Sequence, residues 1–218
     1  MNFALLSSVA APKVKADPVR CQALLNAAEN GDVTAVEDLI KQPDVDVNLY
    51  GDDEHNLTAL WKASFDGHQR VVRLLADHPD VDVNKAGNEG ATPLFAAGQE
   101  GHADCVSLLL AHPQIEVNKA VNNGVTPLSV ACQEGHGDCV SLLLAHPQID
   151  FNKAKNNGVT PLMVASYFGH LEVVKQLLND PNIDVNGKDE DGDTALDCAK
   201  KKGHTEIAYA IRARPRRF

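Results

Sequence analysis

Histidine and cysteine are the residues of this chain with most to offer chemically. There are nine of the first and five of the second, enough donors for zinc and enough thiols for a nucleophile or a bridge. Their spacing argues against each use. The pairs Gly67–His68, Gly101–His102, Gly135–His136, Gly169–His170 and Gly203–His204 recur every 34 residues. Residues that recur once per structural unit lie a helix-packing distance apart, about 8–10 Å, whereas zinc draws four donors to within about 2.3 Å. His102, His136 and His170 therefore cannot share an ion; their expected place is at the start of a helix, in its capping. The same spacing keeps Cys105 from bridging Cys139, since disulfide-linked Cα atoms lie under about 7 Å apart. Cys21, Cys105, Cys132, Cys139 and Cys198 are odd in number and unpaired in spacing. They read as reduced thiols, which places the protein in the cytoplasm or nucleus. Cys105 and Cys139 occupy an apolar helix position and are expected in the core.

Other chemistry fares no better. Gly187–Gly192 (GKDEDG) mimics the start of a calcium-binding loop. With Gly192 at the invariant glycine, Gly187 and Cys198 fall where oxygen ligands are required, so it is an acidic turn. The chain has no nucleophile elbow, no HExxH, no phosphate-binding loop and no dinucleotide fingerprint. The sequence therefore points to no catalytic residue, no metal and no cofactor.

The elements that carry these residues are copies of one unit. Thr58, Thr92, Thr126, Thr160 and Thr194 recur every 34 residues, as do Asn84, Asn118, Asn152 and Asn186. Residues 85–118 and 119–152 match at 25 of 34 positions. In 85–118, Asn88–Glu89–Gly90 is turn chemistry. Thr92 N-caps a helix whose first residue is Pro93, where the missing N–H is no loss. That helix stops at Gly101. A second helix, over 102–111, carries Cys105, Val106, Leu109 and Leu110 as an apolar stripe. His112–Pro113 ends it, and 115–118 is a short extended segment. Neither helix is long enough to stand alone, so units must stack, each burying its stripe against the next.

The whole chain has 218 residues, 44% hydrophobic and 23% charged, which excludes a disordered or collagen-like polymer. No apolar run is long enough to span a membrane. The apolar stretch 3–11 has no positive charge before it, so neither a cleaved signal peptide nor a transit peptide is expected. Four of the 20 bases, Arg212, Arg214, Arg216 and Arg217, crowd the last seven residues; residues 1–211 hold 16 bases against 30 acids. A body this acidic is a poor binder of phosphate backbones, so nucleic acid is not an expected partner. The arginine-rich end reads either as a docking or nuclear-import signal or as a solvated tail balancing the acidic body.

The pattern Gly90-x-Thr92-Pro93-Leu94-x-x-Ala97, then Gly101–His102, Leu109–Leu110 and Val117–Asn118, resembles the ankyrin repeat, and it holds in register in 119–152 and 153–186. It is weaker in 49–84, where Asn56 fills the glycine slot and Ala59 replaces proline. The resemblance covers roughly 17–213 and implies an all-α solenoid of stacked helix-turn-helix units with short hairpin-like turns. The units are 17–48, 49–84, 85–118, 119–152, 153–186 and 187–213, the first and last being caps, with an N-terminal extension 1–16 and a basic tail 214–218. Asp17–Pro18 should open a helix over 18–29, with another over 33–41, and 49–56 should form a longer acidic turn. Two departures stand out. Units are 34 residues long, with His-Pro-x-Ile/Val after the second helix. Trp61, Phe95, Ser129, Met163 and Asp197 fill the column where the family usually has histidine.

The resemblance implies a non-catalytic adaptor or scaffold, monomeric on its own, that binds a partner protein in a concave groove. An inhibitor or regulatory subunit of an enzyme, or a pathogen effector, would use the same groove. Aligned to the family, the turn tips include Glu54, His55, Asn88, Glu89, Asn122, Asn123, Asn156 and Asn157. The groove face of the first helices carries Phe65, Asp66, Gln99, Glu100, Gln133, Glu134, Tyr167 and Phe168, then Lys201 and Lys202. Half of the ten aromatics, Trp61, Phe65, Phe95, Tyr167 and Phe168, fall on these helices. Trp61 and Phe65 share a face, as do Met163 and Tyr167. Phe65, Tyr167 and Phe168 are expected to be exposed; Trp61 and Phe95 either join them or pack between units. A groove acidic or polar at its tips, with an aromatic pair at each end, suits a basic, partly apolar partner segment.

Overall fold

The computed structural model describes residues 15–51 and 55–214. Among them are twelve helices and no strand, arranged as six pairs. The first members are α1 (Pro18–Glu29), α3 (Ala59–Phe65), α5 (Pro93–Glu100), α7 (Pro127–Glu134), α9 (Pro161–Phe168) and α11 (Ala195–Lys201). The second members are α2 (Val33–Leu39), α4 (Gln69–Ala76), α6 (Ala103–Leu110), α8 (Gly137–Leu144), α10 (Leu171–Asn179) and α12 (Thr205–Ala213). Each first helix packs on the first helices of its neighbours and each second helix on the second, giving two layers. One continuous core runs through the stack, with Leu60, Leu94, Leu128 and Leu162 wholly buried in the inner layer and Val72, Val106, Val140 and Val174 in the outer.

Local chemistry sets the helix starts. Thr58, Thr92, Thr126, Thr160 and Thr194 each accept, through Oγ1, the backbone N–H three residues on, and Asp17 and Asp32 do the same work for α1 and α2. Proline occupies the first position of α1, α5, α7 and α9. Asn56, in the glycine slot of its turn, has φ 51°, a conformation asparagine tolerates better than most residues.

Three expectations need correction. α2 stops at Leu39, where Ile40 caps it and the chain turns toward Pro43. Lys119 N–H closes a turn on Glu116 C=O, so the segment 115–118 turns at Val117 and Asn118 where an extended run was expected. The Gly-His histidines stand at N-cap positions but make no side-chain capping bond. Their rings reach into the preceding pair instead. His68, His102, His136, His170 and His204 donate Nε2–H to the carbonyls of Glu29, Phe65, Gln99, Gln133 and Tyr167, at 2.8–3.1 Å. Those carbonyls end the first helices and have no partner within them.

The asparagine column is a second inter-pair ladder. Asn84 donates Nδ2–H to Gln114 C=O at 2.6 Å and accepts Glu116 N–H at 2.8 Å. Asn48, Asn118 and Asn152 repeat this on 80/82, 148/150 and 182/184. At the C-terminal end, the Arg214 guanidinium donates to the carbonyls of Asp180 and Ile183. The first arginine of the basic tail is thus tied to the stack, while 215–218 lie outside the described residues, as do residues 1–14 of the extension 1–16.

Candidate functional site

The inner helices and the turns that precede them form the walls of a groove. Each turn is closed by its own backbone, Gly87 N–H to Ala91 C=O and Val121 N–H to Val125 C=O for example, and is tied to the turn before it. Asn88 N–H reaches His55 C=O, Asn122 N–H reaches Glu89 C=O, and Asn156 N–H reaches Asn123 C=O. A cavity of about 570 Å³ opens between these turns and α3, α5 and α7. Trp61, Phe65 and Phe95 line it, with Asn88, Glu89, Gln99, Asn123, Gln133 and Glu134 around them.

Trp61 and Phe65 stack with ring centroids 5.1 Å apart and planes 11° from parallel. Phe65 is half-buried by that stack, against the expectation of an exposed ring, and Phe95 is only 9% exposed. Both statements about packing between units therefore hold in part: Phe95 is largely buried, Trp61 half-buried, and both face the groove. The indole Nε1–H of Trp61 is buried with no acceptor among the described residues, an uncommon state for a buried donor.

Other expected residues lie elsewhere. Asp66, Glu100, Asn122, Asn156, Asn157, Tyr167 and Phe168 do not line this cavity. Asn122 and Asn156 spend their side-chain amides on the carbonyls of Asn88 and Asn122, and Asn88 accepts from Asn56. The first asparagine of each tip is thus a strut, though itself exposed, and Glu89, Asn123 and Asn157 stand exposed beside it. Glu54 lies outside the described residues.

The aromatic pair expected at the far end is also rearranged. Met163 is 1% exposed, and its Sδ accepts Thr160 N–H. Tyr167 meets Phe168 edge-on, at 5.2 Å between ring centroids, with the two residues 43% and 50% exposed. Lys202 Nζ sits 4.1 Å over the Tyr167 ring, a cation–π contact that also screens that face. Residues overlooked in the sequence are Leu57, Ala91 and Val125, which precede the capping threonines, together with Val121 and Val130. The apolar residue before Thr58, Thr92 and Thr126 is the recurring signal that identifies this stretch of groove wall.

The carboxylates that line the cavity are Glu89 and Glu134, with Asp66 and Glu100 exposed at the neighbouring helix ends. Gln99 and Gln133 donate Nε2–H to Glu100 and Glu134 at 2.9 Å. No reactive thiol adjoins it. All five cysteines are free and buried. Burial, and then the neighbouring Asp104 or Asp138, push Cys105 and Cys139 up to about 11; burial alone raises Cys132 further. Such thiols stay protonated and unreactive at neutral pH. Among the described residues no group of histidine, cysteine or carboxylate side chains could hold a metal ion, and no helix is long and apolar enough to cross a membrane.

A sequence model for ankyrin repeats (three copies) matches in overlapping stretches, 5–87, 24–121, 78–155, 114–189 and 148–214. No curated protein matches the chain. Among solved structures, the ankyrin repeat protein EF0377 superposes with a TM-score of 0.81 at 28% identity, covering 89% of this chain and 98% of that one.

Proposed function

The chain belongs to the ankyrin-repeat family, whose repeats are generally protein–protein interaction modules, and from that premise we propose a non-catalytic adaptor or scaffold that holds a partner protein in the groove of α3, α5 and α7. One observation carries this reading. The aromatic floor of Trp61, Phe65 and Phe95 is framed by carboxylates and amides, the pattern of an apolar anchor site inside a polar rim. The free Trp61 N–H supports it further: the ring can turn toward a ligand carbonyl without giving up a hydrogen bond. The partner that fits is a basic, partly apolar segment.

The test is affinity capture from the native source with the wild type, Phe65→Ala and Tyr167→Ala, followed by mass spectrometry. The proposal expects a partner lost with Phe65→Ala and kept with Tyr167→Ala. A partner lost only with Tyr167→Ala moves the site to α9. One kept by both variants moves it off the concave face.

A further inference from the structure

One column of the inner helices is charged in a way that stability does not explain. Asp66 caps the C-terminus of α3, and Glu100 and Glu134 are the last residues of α5 and α7. All three are exposed. A helix C-terminus already bears partial negative charge, so a carboxylate there is disfavoured. No ion pair joins any of the three to a described lysine, arginine or histidine. Glu100 and Glu134 are held alike by the preceding glutamine. The next members of the column are Phe168 and Lys202, so the run of acids has three members and then reverses in sign.

The spacing of that run fits one kind of ligand. Consecutive inner helices stand about 8–10 Å apart. A polyproline-II segment has three residues per turn and rises about 3.1 Å for each, so same-face residues recur about every 9.3 Å. A β-strand puts residues i and i+3 on opposite faces. Polyproline-II ligands dock in aromatic-lined grooves; Trp61, Phe65 and Phe95 supply such a lining together with Glu134, and Asp66 and Glu100 follow the lining residues Phe65 and Gln99 at the ends of α3 and α5, on the rim of the cavity.

We propose that the groove selects a polyproline-II segment with Lys or Arg at every third residue, its cations at i, i+3 and i+6 facing Asp66, Glu100 and Glu134 while intervening apolar residues rest on the aromatic floor. This rests on the groove's being the binding surface, and the test separates the two ideas. Two proline-rich peptides of identical composition are titrated calorimetrically, one with arginines at i, i+3 and i+6, the other at i, i+2 and i+4. The proteins are the wild type, the double variant Glu100→Gln/Glu134→Gln and Trp61→Ala. Exposed ion pairs are worth roughly two- to fivefold each, so the first peptide should bind the wild type about tenfold tighter. That advantage shrinks with added salt and disappears in the double variant. Both peptides weaken in Trp61→Ala. Equal affinity of the two peptides for the wild type, with both weakened by Trp61→Ala, overturns the register and leaves the groove standing. A preference that survives the double variant also overturns the register. Binding of neither peptide to the folded wild type overturns both ideas.

Discussion

Gly101→Ala measures how strongly neighbouring pairs are locked together. Gly101 caps α5 at φ 78°, in the left-handed region, where an L-residue costs about 1–2 kcal/mol. A Cβ there would also lie 2.6 Å from Nδ1 of His136. That ring holds the Gln99 carbonyl at 3.0 Å, so it must move and give up a bond worth about 0.5–1.5 kcal/mol. The combined loss is about 1.5–3.5 kcal/mol. Gly203 provides the control, because it has φ 77° and nothing within 4 Å of where its Cβ would sit. Gly203→Ala should cost only the backbone part, about 1–2 kcal/mol. Urea unfolding of both variants, and of Gly101→Ala combined with His136→Ala, reads the difference. In a His136→Ala background the excess cost of Gly101→Ala should vanish. Equal destabilisation by Gly101→Ala and Gly203→Ala, or an excess that persists without His136, would refute the histidine lock.

Three further outcomes follow from the same geometry. Asn84→Ala removes a carboxamide that is 7% exposed and serves two backbone groups, so it should cost about 1–3 kcal/mol and speed hydrogen exchange at Glu116 N–H. Asp197 accepts from both the hydroxyl and the backbone N–H of Thr194, and these bonds hold its carboxyl below the usual range. A lowered folded pKa means its contribution is present at neutral pH and is lost as pH falls through the folded value, below about 4. Asp197→Asn should flatten that acid limb of α11–α12 stability, followed by chemical denaturation across pH. Finally, the five buried thiols should resist a disulfide-exchange reagent at pH 7–8 and all react once the chain is unfolded in urea; rapid labelling of the native protein would contradict their placement.

What could be read ahead of the structure was what acts locally. Each threonine caps a helix through a bond spanning three residues, and a motif of that length is visible in any one unit. The histidine bonds are not legible in any one unit, because the acceptor of His102, Phe65 C=O, is 37 residues away, in a different unit. Only the stacking geometry brings it close. The groove was half legible. Aromatic side chains on the first helices marked its floor, but which of them meet depends on rotamers: Phe65 folds onto Trp61, and Tyr167 onto Phe168 and under Lys202. Helical spacing predicts a Met163–Tyr167 face equally well, yet Met163 turns back onto the Thr160 N–H and leaves the surface.

The groove claim has a reporter built into the molecule. Trp61 is the single tryptophan of the chain and stands in the proposed binding floor. Titrating the wild type with the arginine-and-proline peptide, while following tryptophan emission and heat release together, tests the claim most directly. Binding on the Trp61 floor gives a saturable emission change with the same midpoint as the heat, and both are lost in Phe65→Ala. Heat of binding that saturates while Trp61 emission stays constant would contradict it and place the ligand on another face.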